Sequence, residues 1–195
     1  YKTKPLVNYN GNIIMCHDKD ISGGEVWMYK NNSWSMIQYL NPHLNSHNGE
    51  TISDDGKRFF IVDSPYGGGA TGKIFIYEYK EEYEEYRLED TITATDIGTK
   101  TGAIKLGKTN FDGSIFTIAD SGVYNIGGNG GKLTVFQYNS STSTWENIYI
   151  YLNTDEPGYF TSGGGGHIIS VSRTGEYILA FDHNEDYFIV FKSQA

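Results

Sequence analysis

Short apolar runs, separated by polar turns, follow one another along most of the chain. Four of these runs come directly after a turn that contains glycine, and all four end in aspartate. They are residues 12–18 (NIIMCHD), 57–63 (KRFFIVD), 114–120 (SIFTIAD) and 176–182 (EYILAFD), after turns at Asn10-Gly11, Asp55-Gly56, Asp112-Gly113 and Thr174-Gly175. Because Asn, Asp and Gly tolerate the positive φ of a tight turn, the pattern predicts four β-hairpins.

Further apolar runs extend each hairpin into a larger sheet. A second run follows each aspartate, at residues 25–30, 73–80, 132–139 and 187–193, with an aromatic residue at Tyr29, Tyr77, Phe136 and Phe191. A third run begins with Trp34, Tyr86 and Trp145 in the first three units. A short strand precedes each turn, at residues 5–9, 50–53, 103–109 and 167–172. The chain therefore predicts four antiparallel strands per unit, with the outer strand missing from the fourth.

The units recur at the length of a propeller blade. Turn glycines at positions 11, 56, 113 and 175 lie 45, 57 and 62 residues apart, which is typical of four-stranded blades with loops of different size. Glycines at 49, 102 and 166 lead into three of the first strands, where blades crowd near an axis. We therefore predict an all-β, four-bladed β-propeller forming a single domain, 1–195, with units at about 5–45, 46–98, 99–158 and 159–195. A β-sandwich of unrelated hairpins is the alternative, and the fixed order of features disfavours it.

Residues 49–79 and 102–148 resemble FG-GAP-type repeats, the blade unit of integrin-α-like β-propellers. The resemblance rests on the Ser and Asp-Gly turn, the apolar strand, the glycine loop, the next strand with its aromatic residue, and the Trp of "STWENI". It implies a propeller with more blades than four. The chain is accordingly expected to be a piece of a larger propeller, a partner in an assembly that completes the ring, or a small closed form.

The same resemblance implies a calcium loop between the second and third strands of a blade. In "DKDISGGE", Asp18, Asp20 and Ser22 alternate and Gly23 takes the sixth place, as in loops of oxygen ligands. Val26 stands where a ninth-position carboxylate is needed. We therefore favour turn capping by the four aspartates that end the runs, Asp18 among them, over metal binding, and expect no cofactor, with calcium as the exception to test.

A phosphate-loop spacing, "GGGATGK", occurs at residues 67–73. A phosphate loop requires Ser or Thr after the lysine and a helix beyond it. Ile74 follows instead, a strand is predicted there, and residues 127–133 repeat the glycine run in the next unit. The glycines are therefore predicted to form loops between strands.

Composition narrows the possible partners. The net charge of −9 disfavours nucleic acid and anionic lipid, and no apolar stretch approaches the length of a membrane helix. Cys16 is the only cysteine, and its side chain is predicted to point away from that of His17 across a strand, which excludes a direct nucleophile and base pair. The acidic run at residues 78–90 is predicted to be a solvated edge. Sequons at Asn31 and Asn139 fall on equivalent hairpin tips and favour an extracellular or surface setting.

These features predict a non-enzymatic binding or structural module whose loops present a surface to a protein or glycan, including as a component of a cell or virion surface. The glycine-rich segment 159–167 (YFTSGGGGH) is a candidate contact element. Assembly with another chain or with copies of itself is a second expectation. The alternatives are a glycan-processing hydrolase on a propeller scaffold, which needs converging carboxylates, and a calcium-stabilised adhesion domain.

Overall fold

The computed structural model describes residues 5–18, 23–40, 47–63, 72–93, 104–120, 132–152, 169–182 and 187–192, and the regular elements within these ranges are all β-strands. They form four antiparallel sheets in which strands that follow one another in the chain are also neighbours in space. The predicted all-β fold class and the division into four sheets are confirmed.

The strands are numbered in chain order. Sheet 1 contains β1 (Leu6–Val7), β2 (Ile13–Asp18), β3 (Gly23–Lys30) and β4 (Ser33–Leu40). Sheet 2 contains β5 (His47–Ile52), β6 (Arg58–Asp63), β7 (Lys73–Lys80) and β8 (Glu85–Thr93). Sheet 3 contains β9 (Ile104–Thr109), β10 (Ile115–Asp120), β11 (Lys132–Asn139) and β12 (Thr144–Leu152). Sheet 4 contains β13 (Ile169–Val171), β14 (Tyr177–Asp182) and β15 (Tyr187–Lys192), and so has three strands in the described part of the chain.

The first strands of consecutive sheets pack against each other. Strand β1 contacts β5, β5 contacts β9, and β9 contacts β13, whereas the outer strands meet less closely, at β4 and β8. This arrangement places the short first strand of each sheet on the inner side of the array, as the sequence predicted.

Each sheet has two faces, which we call forward and rear. The forward face packs on the next sheet in the chain, and the rear face packs on the previous one. In sheet 2, Phe60 and Ile76 lie on the forward face, in a buried cluster with Phe116 of sheet 3. Phe59 and Tyr86 lie on the rear face, in a cluster with residues of sheet 1. The alternation of strand side chains therefore supplies two separate apolar layers from one sheet.

Hydrogen bonds also link neighbouring sheets. The side-chain amide of Gln38, in sheet 1, donates to the carbonyl of Tyr86 at 2.8 Å and accepts from its N–H at 2.7 Å. These two bonds satisfy the backbone N–H and carbonyl of Tyr86, which lies on β8, the edge strand of sheet 2.

The strand register corrects one sequence alignment. Trp27 pairs with Ile14, just as Tyr77 pairs with Phe59 and Phe136 with Phe116. Trp27, rather than Tyr29, is thus the equivalent of Tyr77, because the number of residues between the turn and the third strand differs by unit.

Residues 64–71 and 121–131, which hold most of the two glycine runs, lie outside the described residues. Lys73 and Ile74 begin strand β7, and Lys132 begins β11. Strands rather than helices therefore follow both glycine runs, as the sequence predicted. Within the described ranges there is no helix with the length and apolar character to span a membrane.

Candidate binding surface at the turn rim

The same six-residue turn joins the first two strands of every sheet. In each turn the N–H of the sixth residue donates to the side chain of the first: Ile13 to Asn8, Arg58 to Ser53, Ile115 to Asn110, and Tyr177 to Ser172, at 2.9–3.0 Å. In each turn the glycine N–H also donates to the carbonyl of the first residue. Asn or Ser at the first position and Gly at the fourth are therefore the local sequence signals for this turn.

The glycines adopt the left-handed conformation, with φ of 68°, 78°, 69° and 77° at Gly11, Gly56, Gly113 and Gly175. The residues before them have ordinary negative φ. The sequence argument from Asn-Gly and Asp-Gly dipeptides correctly located the turns, but only the glycine takes the positive φ that it assigned to both residues.

Backbone hydrogen bonds tie the turns together in sequence. The N–H of Tyr9 donates to Asp54 O at 3.1 Å, that of Asp55 to Phe111 O at 2.9 Å, and that of Phe111 to Arg173 O at 3.1 Å. The four turns thus form one continuous edge of the molecule, which we call the turn rim: residues 8–13, 53–58, 110–115 and 172–177.

The second residues of three turns bring two aromatic rings and a guanidinium together on this rim. The guanidinium carbon of Arg173 lies 4.0 Å from the ring centroid of Phe111 and 5.8 Å from that of Tyr9. The Tyr9 side chain is 70% exposed. Cation–π contacts of this kind hold a long side chain in place without burying it. The rim therefore offers a pre-arranged aromatic and cationic surface to a ligand.

Carboxylates on the rim are held in fixed orientations. Asp55 accepts from the N–H of Lys57 at 2.9 Å and from the hydroxyl of Ser53 at 2.7 Å. Partial burial acts to raise the pKa of Asp112, but hydrogen bonds from the hydroxyl and N–H of Ser114 outweigh it and lower that pKa. Both acids thus serve as turn caps.

Tyr9, Phe111 and Arg173 were not singled out by the sequence. Each is the second residue of the repeated turn. This equivalence is evident only when the turns are aligned by their hydrogen bonds. Residues 159–167, the predicted contact loop, lie outside the described residues.

The predicted calcium loop is not tested. Asp18 ends β2, where its backbone pairs with Gly23, while Asp20 and Ser22 lie outside the described residues. In the part of the chain that the structure describes, no group of three or more His, Cys, Asp or Glu side chains is placed to hold a metal ion. Calcium at Asp18, Asp20 and Ser22 stays a prediction.

Hairpin tips fall where the sequence placed them. Asn31 and Asn32 form the tip between β3 and β4, with φ of 54° and 62°. Asn139 ends β11, and its side-chain amide donates to Glu146 at 2.8 Å. Residues 81–84 of the acidic run form an exposed tip, where Glu84 pairs with Lys30 of the neighbouring tip at 2.8 Å.

Four radially packed antiparallel sheets with the first strand innermost define the protein as a β-propeller. No protein-family model and no curated protein sequence matches the chain. Solved propeller structures do match. A Bacteroides uniformis protein described as a candidate 6-phosphogluconolactonase superposes with a TM-score of 0.62 at 14% identity, over 100% of this chain and 51% of that one.

The periplasmic gluconolactonase PpgL of Pseudomonas aeruginosa gives a TM-score of 0.57 at 14% identity, over 100% of this chain and 50% of that one. A TolB-like protein of Agrobacterium tumefaciens gives 0.52 at 14% identity, over 97% and 57%. This chain therefore spans about half the length of the structures it matches. At 14% identity this likeness establishes the fold alone. One fold can carry many different functions.

Proposed function

We propose that this chain is a non-enzymatic recognition module that binds a protein or glycan through the turn rim. The observation that carries the proposal is the fixed grouping of Tyr9, Phe111 and Arg173 on turns tied by backbone hydrogen bonds. Exposed aromatic rings and a guanidinium are frequent anchors in interfaces, and a rigid scaffold lowers the entropic cost of ordering them. The resemblance to FG-GAP-type repeats contributes only the propeller fold to this proposal.

Site-specific photo-crosslinking tests this function. A photoreactive residue replaces Asn10, which is exposed on the rim, or Tyr83, which is 52% exposed on a hairpin tip away from the rim. A ligand from native extract should crosslink from position 10 and not from position 83. Adding Tyr9→Ala or Arg173→Ala should abolish that product. Equal products from both positions would contradict a rim site.

A lactone hydrolase is the second candidate. Its support is the superposition on a gluconolactonase over the whole of this chain, which is a likeness of fold. Turnover of gluconolactone or its 6-phosphate by the purified chain, above the spontaneous rate, would favour this candidate over the binding module.

A further inference from the structure

A pocket of about 320 Å³ opens between sheets 1 and 2, beside the hairpin tips that join their third and fourth strands. We call it the tip pocket. Sites for small molecules have volumes from about 300 Å³ upward, so the tip pocket has the size to hold a small molecule. Its lining includes Met28, Lys30 and Ile37 from sheet 1, and Tyr79, Tyr83 and Glu84 from sheet 2 and its tip.

The wall that sheet 1 supplies is apolar, in contrast to the same positions of sheet 2. Three positions of the forward face carry apolar side chains in sheet 1 and charged ones in sheet 2. By register these pairs are Ile13 and Arg58, Met28 and Glu78, and Ile37 and Glu89. Arg58 pairs with both glutamates, at 3.4 and 2.9 Å, and lies over the ring of Tyr138 in sheet 3. Between sheets 1 and 2 no such ion cluster forms at these positions, and Met28 and Ile37 line the tip pocket instead.

Tyrosine rings form the wall that sheet 2 supplies. The ring centroid of Tyr79 lies 5.1 Å from that of Tyr86, which is buried. The guanidinium carbon of Arg87 lies 3.4 Å from the ring centroid of Tyr83. Each ring of the wall is thus held by a neighbouring side chain, and an apolar or aromatic group can pack between this wall and the apolar one.

One cation and one carboxylate lie side by side at the pocket. Lys30 Nζ lies 2.8 Å from Glu84 Oε1, in a pair that links the tips of the two sheets. The two side chains are 62% and 69% exposed. Exposed ion pairs of this kind contribute little to stability, so that a ligand can bind to both partners at little cost to the fold.

We propose that the tip pocket binds a free α-amino acid with an apolar or aromatic side chain. The α-carboxylate of the ligand accepts hydrogen bonds from Lys30, and its α-ammonium donates to Glu84. Positive and negative groups then alternate around a closed ring of four charges, which strengthens each hydrogen bond. The side chain of the ligand packs between Met28 and Ile37 on one side and Tyr79 on the other.

The chemistry of the pocket favours this ligand class over two others. The hydroxyls of a saccharide would lie against Met28 and Ile37 without strong hydrogen-bond partners, which is costly for polar groups removed from water. A ligand with a single charge would match only one member of the Lys30–Glu84 pair. The tip pocket lies between two sheets that pack on each other, and its proposed ligand is independent of the one proposed for the turn rim.

Isothermal titration calorimetry of the 195-residue chain with phenylalanine tests the proposal. The expected result is saturable binding at one site, with a Kd between about 10 μM and 1 mM. Phenylpropionate lacks the ammonium and phenethylamine lacks the carboxylate, and each should bind about 10-fold more weakly or worse. Absence of phenylalanine binding at about 10 mM, equal affinity for the three compounds, or binding of glucose in place of phenylalanine would overturn the proposal.

Two variants test which side chain binds which charge of the ligand. Glu84→Gln should bind phenylalanine no more tightly than phenylpropionate, and Lys30→Gln should bind it no more tightly than phenethylamine. Each variant should still bind the analogue that it matches as the wild type does, which an unfolded chain would not do. Glu176→Gln removes a carboxylate from an exposed pair on sheet 4 and should keep both preferences.

Variants that keep both preferences at positions 30 and 84 would contradict the assigned contacts. Arg173→Ala, on the turn rim, should leave phenylalanine binding unchanged. Failure of the rim crosslink and failure of phenylalanine binding are therefore separate results, and each bears on its own proposal.

Discussion

At the scale of single residues, Tyr86 links its strand to its own turn. Its ring is buried 4.6 Å from that of Phe59, and its hydroxyl donates to the carbonyl of Gly56 at 2.5 Å. Tyr86→Phe leaves that buried carbonyl without this donor and should lower the free energy of unfolding by about 1–3 kcal/mol. Urea denaturation measures the change, and Tyr83→Phe, at an exposed ring, should leave it unaltered. An equally small change for the two substitutions would show that the hydrogen bond from Tyr86 to Gly56 contributes nothing to stability.

Burial of Tyr86 also predicts an alkaline instability. Burial is the main cause that raises the pKa of this phenol, so the folded state keeps it protonated. The unfolded chain releases the proton above about pH 10, and the free energy of unfolding should therefore fall as pH rises past that value. In Tyr86→Phe the alkaline decline should be shallower than in wild type. Parallel pH profiles would contradict this assignment.

Arg58 is a charged residue at a position that holds isoleucine in sheets 1 and 3. Its guanidinium donates to Glu89 at 2.9 and 3.1 Å, and both side chains are about nine-tenths buried. Arg58→Ala leaves the Glu89 carboxylate buried without its partner and should cost about 3–5 kcal/mol in chemical denaturation. Lys192→Ala, in an exposed pair with Glu176, should cost less than about 1 kcal/mol. Similar costs for the two changes would argue against a buried pair.

At the scale of elements, glycine is required in the repeated turn for two reasons: the positive φ of that position and, at Gly56, close contact with the previous sheet. Alanine at any turn glycine is strained by the positive φ, which costs about 1–2 kcal/mol. At Gly56 the new Cβ would also lie 2.5 Å from Ile13 Cδ1 and 2.9 Å from Asn8 Nδ2, whereas at Gly11 it meets open space. Gly56→Ala should therefore destabilise more than Gly11→Ala, by about 1–3 kcal/mol of overpacking.

Thermal or urea unfolding of the two variants gives the difference directly. Equal losses would mean that the turns are restricted by φ alone and do not dock on the preceding sheet.

At the scale of the whole molecule, the inner sheets have neighbours on both faces and the end sheets on one. Hydrogen exchange of the chain should accordingly be slowest in β6 and β7 and faster in β4 and β15. Equal protection of these four strands would indicate that the end sheets are covered as completely as the inner ones.

The strands, the turns and the division into four sheets were predictable from the amino-acid sequence alone. Those features are set by local physics: side-chain alternation, the φ freedom of glycine, and the capping of turns by Asn, Ser and Asp. The sequence also predicted that no helix follows the phosphate-loop spacing, because Ile74 and its neighbours have a strand pattern.

Which side chains meet depends on tertiary packing and could not be predicted from the local sequence pattern. The grouping of Tyr9, Phe111 and Arg173 depends on turns that are far apart in the chain and are brought together by packing of the first strands. The equivalence of Trp27 with Tyr77 depends on loop lengths that vary between units. Whether an apolar residue such as Val190 is covered depends on a neighbouring sheet, and an apolar strand face has the same alternating pattern whether or not a neighbour is present.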